Sequence, residues 1–267
     1  MPPRQSPLRT LKILLVLLPS ATPAHATTLC AKNKPPVVIA PGFGNADTDY
    51  TQPFGATTGF VHSLTQRGIP YVAVLKLPRY EWVRVAAGLL DPHFYTNRQK
   101  PMGIAYGWYL RRLQQTVDDA YQASNGQRVL ICAHSAGGWL ARAALADDAW
   151  LASGGAGRVC GLVTLGAPHY PPPDGLAPCA TRGALAYCEQ ALPGAHVDGI
   201  EYVTVAGAAI AGAKPTVGEA AEQTAAQRAA AIAYNNYRAL SGDGCAVGDG
   251  VIPVETAHLP GAMQLTL

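Results

Sequence analysis

The sequence predicts an α/β architecture in which a mostly parallel central sheet is covered by helices on both faces. Three observations predict it. Short runs rich in Val, Ile and Leu alternate along the chain with longer stretches of helical periodicity. The short runs are apolar throughout rather than alternating, which is the pattern of strands buried on both faces. Each is bounded by Gly or Pro, and a strand followed by a helix and then another strand calls for a parallel crossover. The 267 residues are 49% hydrophobic, enough to bury one sizeable core. With 14% charged residues beside 28 Gly and 22 Pro, tight loops are expected and a charged helical bundle is not.

In chain order, Arg4, Arg9 and Lys12 precede the apolar run Ile13 to Leu18 and the small-residue site Ala24-His25-Ala26. Residues 1–26 therefore read as a cleavable signal or transit segment, suited to the secretory route or to a plastid and its thylakoid lumen. Residues 27–267 read as one domain, with no internal repeat and no long linker. The net charge of +3 falls to near neutral once those three basic residues are removed, so no nucleic-acid footprint is present.

The runs Val37 to Ala40, Tyr71 to Leu75, Val129 to Ala133, Val159 to Leu165 and Tyr202 to Ala206 are predicted strands, and Met263 to Leu267 a last one. Helical patterns cover Thr57 to Arg67, Ile104 to Ser124 and Gly137 to Ala146. A further helix, Glu219 to Leu240, is expected to pack over the sheet edge or to form part of a lid.

Six cysteines in an exported chain permit disulfides, and Cys179 with Cys188 bracket a loop that one could close. Cys132 and Cys160 lie in apolar runs and are expected to be small buried hydrophobes. No CxxC, HExxH or clustered Cys/His spacing occurs, so neither a metal nor a cofactor is expected.

The chemistry is concentrated at one corner. A buried strand, then His134-Ser135-Ala136-Gly137-Gly138, then a helix carrying Trp139, Leu140, Ala143 and Ala144 is the setting of a nucleophile elbow. The residues two before and two after the serine must be small, and Ala133 and Gly137 are, although Gly is the usual residue at the first. The Ala136 N–H at the helix start points where an oxyanion would form. The loop Pro41-Gly42-Phe43-Gly44-Asn45 after the first strand offers the Phe43 N–H as the second donor.

An orienting acid should follow the serine, and then a basic histidine. Asp249, flanked by Gly248 and Gly250, is the best acid, with Asp243 as runner-up. His258 is the only histidine after Asp249. His134 adjoins the serine and is expected to pack; His169 precedes the acid and so is out of order. Tyr80, Trp82, Phe94, Tyr95, Tyr106 and Trp108 could line an acyl groove or a membrane-contacting lip, with Tyr106 and Trp108 more suited to the core. Lys76, Arg79 and Arg84 could contact lipid headgroups, but a solvated loop face is the simpler reading.

The segments AHSAGGWLAR from Ala133, TLGAPHYPPP from Thr164 and GDGVIPVETAHLPGA from Gly248 carry a resemblance. They look like the α/β-hydrolases of the lipase and esterase group. The elbow is similar to that of small bacterial lipases. The ensemble, with Thr181 to Leu185 and Pro193 to Ala195, resembles plant and algal hydrolases related to the GPI inositol-deacylase family. The likeness runs over most of the chain from Pro35.

It implies an α/β-hydrolase fold and a serine hydrolase acting on an ester or acyl lipid, with Ser135 as nucleophile, Asp249 as acid, and Phe43 and Ala136 as oxyanion donors. In such relatives the catalytic histidine follows the strand that Pro260 to Leu267 resembles, so the expected base is either His258 or a histidine beyond Leu267, in which case the domain is truncated at its C-terminus. Two other readings are an inactive hydrolase used for binding, and a peptidase or thioesterase built on the same serine.

Overall fold

The computed structural model describes residues 34–53, 59–173, 179–215 and 224–267. The expected targeting segment 1–26 lies outside the described residues. Six strands form one sheet: β1 (Val37–Ala40), β2 (Val72–Val74), β3 (Val129–His134), β4 (Val159–Leu165), β5 (Glu201–Ala206) and β8 (Met263–Thr266). Their order is β2-β1-β3-β4-β5-β8, and every neighbouring pair is parallel. All six fall on the predicted apolar runs. A second, antiparallel ribbon pairs β6 (Ile210–Ala211) with β7 (Val247–Gly248); two residues per strand give no periodicity that a sequence could display.

The helices are α1 (Thr48–Thr51), α2 (Phe60–Gln66), α3 (Pro92–Tyr95), α4 (Gly107–Ala123), α5 (Ala136–Leu145), α6 (Asp148–Ala152), α7 (Ala184–Ala191), α8 (Ala225–Ser241) and α9 (Val254–Ala257). Side chains alternate across the sheet. Val38 and Ala40 of β1 join Ile131, Ala133 and Leu162 in a core completed by Leu110, Leu113 and Val117 of α4 and by Leu140 of α5. Val37 and Ile39 point the other way, toward Cys132, Val205, Tyr50 of α1, and Phe60 and Leu64 of α2. Burying both faces explains why these runs contain no polar alternation.

Between β2 and α3, Arg79–Leu90 winds as a 3₁₀ spiral, where the sequence reading had only a long loop. Its repeat is three residues, so the 3.6-residue template does not find it. Helix α8 is capped at its start by Thr224 and Gln227, each bonding the other's backbone, and ends at Gly242 in the left-handed conformation. It packs on β6 and α9, and its Leu240 joins Ala206 of β5 in a small apolar cluster. Residues 219–223 of its expected range lie outside the described residues.

The cysteines depart from expectation in one respect. Cys132 is the buried thiol expected, and burial pushes its pKa up to about 12. Cys160, also expected to be a plain buried thiol, is disulfide-bonded, with a partner outside the described residues. Burial alone cannot separate these cases, because a bridge at a strand's start depends on a distant segment. Cys179 and Cys188, the pair that could have closed a loop, are both free thiols. Among the described residues no helix is long and apolar enough to cross a membrane.

Candidate active site

Strand β3 ends at His134, α5 begins at Ala136, and Ser135 forms the whole turn between them. Its backbone has φ +52° and ψ −130°, a conformation an L-residue adopts only under constraint. The constraint is visible on both sides. The Ser135 N–H donates to Leu165 O of β4 at 2.9 Å, and Ser135 O accepts from Gly138 N at 2.9 Å, which starts the helix at once. So sharp a turn presses strand and helix together. A Cβ on Gly137 would lie 2.5 Å from Ala40 O, and one on Gly42 would lie 2.8 Å from Ser135 Cβ. Ala133 at the position usually held by Gly is fully buried, its methyl absorbed into the core.

The Pro41–Asn45 loop is held from several directions. Tyr109 donates its hydroxyl to Pro41 O at 2.7 Å, Trp82 Nε1 donates to Asn45 O at 2.9 Å, and Arg79 donates to Gly44 O at 2.5 Å. Tyr50 ties this loop to the elbow: its hydroxyl accepts from Gly42 N at 3.3 Å and bonds His134 Nδ1 at 2.9 Å. Burial raises the Tyr50 pKa, and burial lowers that of His134, opposed by the Asp249 carboxylate. His134 packs as expected, and it also buttresses the loop. With Gly42 N–H engaged by Tyr50 and Asn45 N–H by Gly42 O, the amides of Phe43 and Gly44 are the loop donors without an acceptor among the described residues, beside Ala136 N–H, which as the first helical amide has no acceptor one turn back. The Phe43 ring rests on Trp82, centroids 5.0 Å apart.

Asp249 approaches the same point from the β7 side. Its Oδ1 accepts from Val251 N and Ile252 N at 2.8 and 2.7 Å. Its Oδ2 lies over Gly166, where a Cβ would come within 2.7 Å. Gly166 follows Leu165, the residue that accepts from Ser135, so Asp249 and Ser135 both adjoin the end of β4. Helix α8 fixes the Asp249 loop from behind. The Tyr237 hydroxyl accepts from Gly250 N at 2.7 Å and donates to Ile210 O at 3.1 Å, while Asn236 Nδ2 donates to Gly250 O at 2.8 Å. Asp243 instead caps its own turn, accepting from Cys245 N at 2.8 Å.

His258 is held elsewhere. Its Nδ1 bonds Thr204 Oγ1 at 2.9 Å and its Nε2 bonds Thr266 Oγ1 at 3.0 Å, which clips β5 to β8. It makes no hydrogen bond to Asp249 or Ser135. Burial lowers its pKa. His169 is fully buried, with Nε2 against Thr164 Oγ1 at 3.1 Å and its carbonyl accepting from Arg142. Arg142, on α5 behind the elbow, also donates to Leu192 O at 2.7 Å. The sequence reading missed Tyr50, Tyr237 and Arg142 as supports; Arg142 alone had a signal, a basic residue in an otherwise apolar helix.

No protein-family model and no curated protein matches the chain. Among solved structures it is similar to the mature form of BlEst2, a lipase of Bacillus licheniformis. The TM-score is 0.50 at 17% identity, covering 92% of this chain and 87% of that one. It also matches RedJ, whose structure has a PEG molecule bound in the active site. There the TM-score is 0.35 at 20% identity, covering 72% and 76% of the two chains, too distant to bear on the site. The likeness to the lipase, with the parallel strand order above, shows an α/β-hydrolase fold.

Proposed function

We propose that residues 27–267 form one catalytic domain, a serine hydrolase that cleaves carboxylic esters through an acyl-enzyme. The observation that carries this reading is the backbone of Ser135, strained at the turn between a central strand and the helix that starts on it. Strain of this kind persists only where the surroundings impose it, and here it lifts a hydroxyl to the carboxyl edge of the sheet beside two helix and loop amides. Ser135 attacks the ester carbonyl, Phe43 and Ala136 N–H stabilise the oxyanion, and water releases the acyl group. Asp249 orients the base through Oδ2, the oxygen that its own loop leaves free.

Two sources of the base are separable. One is His258, after rotation out of its contact with Thr204 and Thr266. The other is a histidine carried by chain following Leu267, which β8, parallel to β5, would deliver to the edge where Asp249 waits. An acyl lipid is the proposed substrate class, and inositol-deacylase-like specificity rests on the sequence resemblance. The Cys160 disulfide supports export to an oxidising compartment through the 1–26 segment.

The second reading, an inactive hydrolase that binds its ligand, is favoured by the engagement of both His258 nitrogens. Labelling by a serine-directed fluorophosphonate, with nitrophenyl-ester hydrolysis alongside, tests both. Labelling that disappears in Ser135→Ala supports the enzyme, and its loss in His258→Ala assigns the base to His258. Labelling only after the reading frame is extended past Leu267 assigns the base to that extension. No labelling in either form overturns the proposal in favour of the binding protein.

A further inference from the structure

The spiral Arg79–Leu90 has a feature that its packing does not require. In a 3₁₀ helix residues three apart eclipse, and Tyr80, Val83, Ala86 and Leu89 form one such row, all exposed to solvent. Tyr80 is 75% and Val83 73% exposed, and Leu90 beside the row is 79% exposed. The opposite row, with Trp82 and Gly88, is the one that packs. Beyond the spiral Tyr95 is exposed as well, with its hydroxyl on Leu89 O. On the near side Phe43 is exposed against Trp82, one residue from the Gly42 that touches the Ser135 position. Exposed apolar side chains thus occupy the spiral and the segment after it, and Phe43 is exposed on the loop beside the candidate site.

The charge around them is one-sided. Residues 76–100 contain Lys76, Arg79, Arg84, Arg98 and Lys100 against Glu81 and Asp91, and Arg79 is paired from outside the segment by Asp49. Both acids are engaged, Glu81 by Arg112 and Arg84 and Asp91 by His93. Among the described residues no carboxylate pairs with Lys76, Arg98 or Lys100. We propose that this cationic, apolar stripe docks the protein on an anionic lipid surface, with Tyr80, Val83, Leu89 and Leu90 entering the headgroup boundary and the lysines and arginines meeting lipid phosphates. Exposed apolar side chains flanked by basic ones are the composition that such a surface retains. A second copy of the chain fits less well, because a two-fold contact would set the same cations against each other. Docking deepens the ester-hydrolase reading, on which its consequence rests: Phe43 and the Ser135 mouth would face the bilayer, so substrate would be drawn from the lipid phase.

The test is co-sedimentation of the full chain with vesicles of phosphatidylcholine alone and with about 30 mol % phosphatidylglycerol. Arg4, Arg9 and Lys12 are changed to Gln throughout, so that the basic N-terminal segment does not supply the attraction. Each cation near the surface contributes about fivefold to partitioning, so at least a tenfold preference for anionic vesicles is expected. It should be lost at about 1 M salt, where screening extends about 3 Å. Val83→Asp with Leu90→Asp, and separately Lys76→Glu with Arg98→Glu, should each weaken binding at least tenfold with unchanged circular dichroism; all of these side chains are exposed. Equal binding to both vesicles, or unaltered binding by either pair of variants, overturns the proposal. So does a dimer in solution that Val83→Asp with Leu90→Asp dissociates. Ser135→Ala should sediment as the parent does, so failure of docking and failure of catalysis are read independently.

Discussion

Replacing Ser135 by Gly and, separately, by Ala measures the strain at the elbow without requiring turnover. Both remove the hydroxyl, and they differ in the Cβ. At φ +52° and ψ −130° that Cβ is crowded against its own backbone, at a cost of about 1–3 kcal/mol. Glycine relieves the crowding but makes the unfolded chain more flexible, which lowers stability by about 0.4–1 kcal/mol. The difference favours Ser135→Gly over Ser135→Ala by about 1 kcal/mol, a Tm higher by about 2–4 °C for a domain of this size. Urea unfolding of the two variants, with a scanning thermal melt, is the assay. If the glycine variant is equally or less stable, Ser135 is not strained, and the argument that the fold holds it in place for chemistry fails.

Three further outcomes follow from the same geometry. Arg142→Met should cost about 2–4 kcal/mol in urea unfolding, since it leaves the buried carbonyls of His169 and Leu192 without their charged donor; a more stable variant would mean that burying the guanidinium without a carboxylate outweighs those bonds. His169 is held well below its ordinary 6.5, first by burial and then by the positive charge of Arg142 and His258. It stays neutral when folded and takes a proton below about pH 6.5 when unfolded. Its contribution is therefore constant above pH 6.5 and lost as pH falls below it, at up to about 1.4 kcal/mol per pH unit. Stability measured at pH 8, 6.5 and 5 should fall less steeply in His169→Gln than in the parent, and parallel curves would refute the assignment. Finally, reduction of the Cys160 disulfide should lower stability by about 2–4 kcal/mol and expose two additional thiols to titration in denaturant.

The sheet was legible because its strands are buried on both faces, which leaves unbroken runs of Val, Ile and Leu. The elbow was legible because its constraints are local: Ala133, Ser135 and Gly137 lie within five residues of chain. Asp249 could be picked from its Gly-flanked loop, and the structure sets it one strand from Ser135. His258 had chain order as its only credential. The threonines that hold it, Thr204 and Thr266, lie on two different strands, and nothing around His258 in sequence signals them. The same holds for Tyr50, which reaches His134 across 84 positions. The spiral escaped because a three-residue repeat of exposed apolar residues looks like a loop to any template built on 3.6 or 2.

The peptide unit between Leu165 and Gly166 acts as a common datum for two groups that arrive from opposite ends of the chain. The Ser135 amide hangs from its carbonyl, and the Asp249 carboxylate rests against its following α-carbon. The end of β4 is thus the place where the elbow and the Asp249 loop share a neighbour. A side chain at position 166, where the backbone φ is +51°, would push on the Asp249 carboxylate and leave the Ser135 amide bond in place.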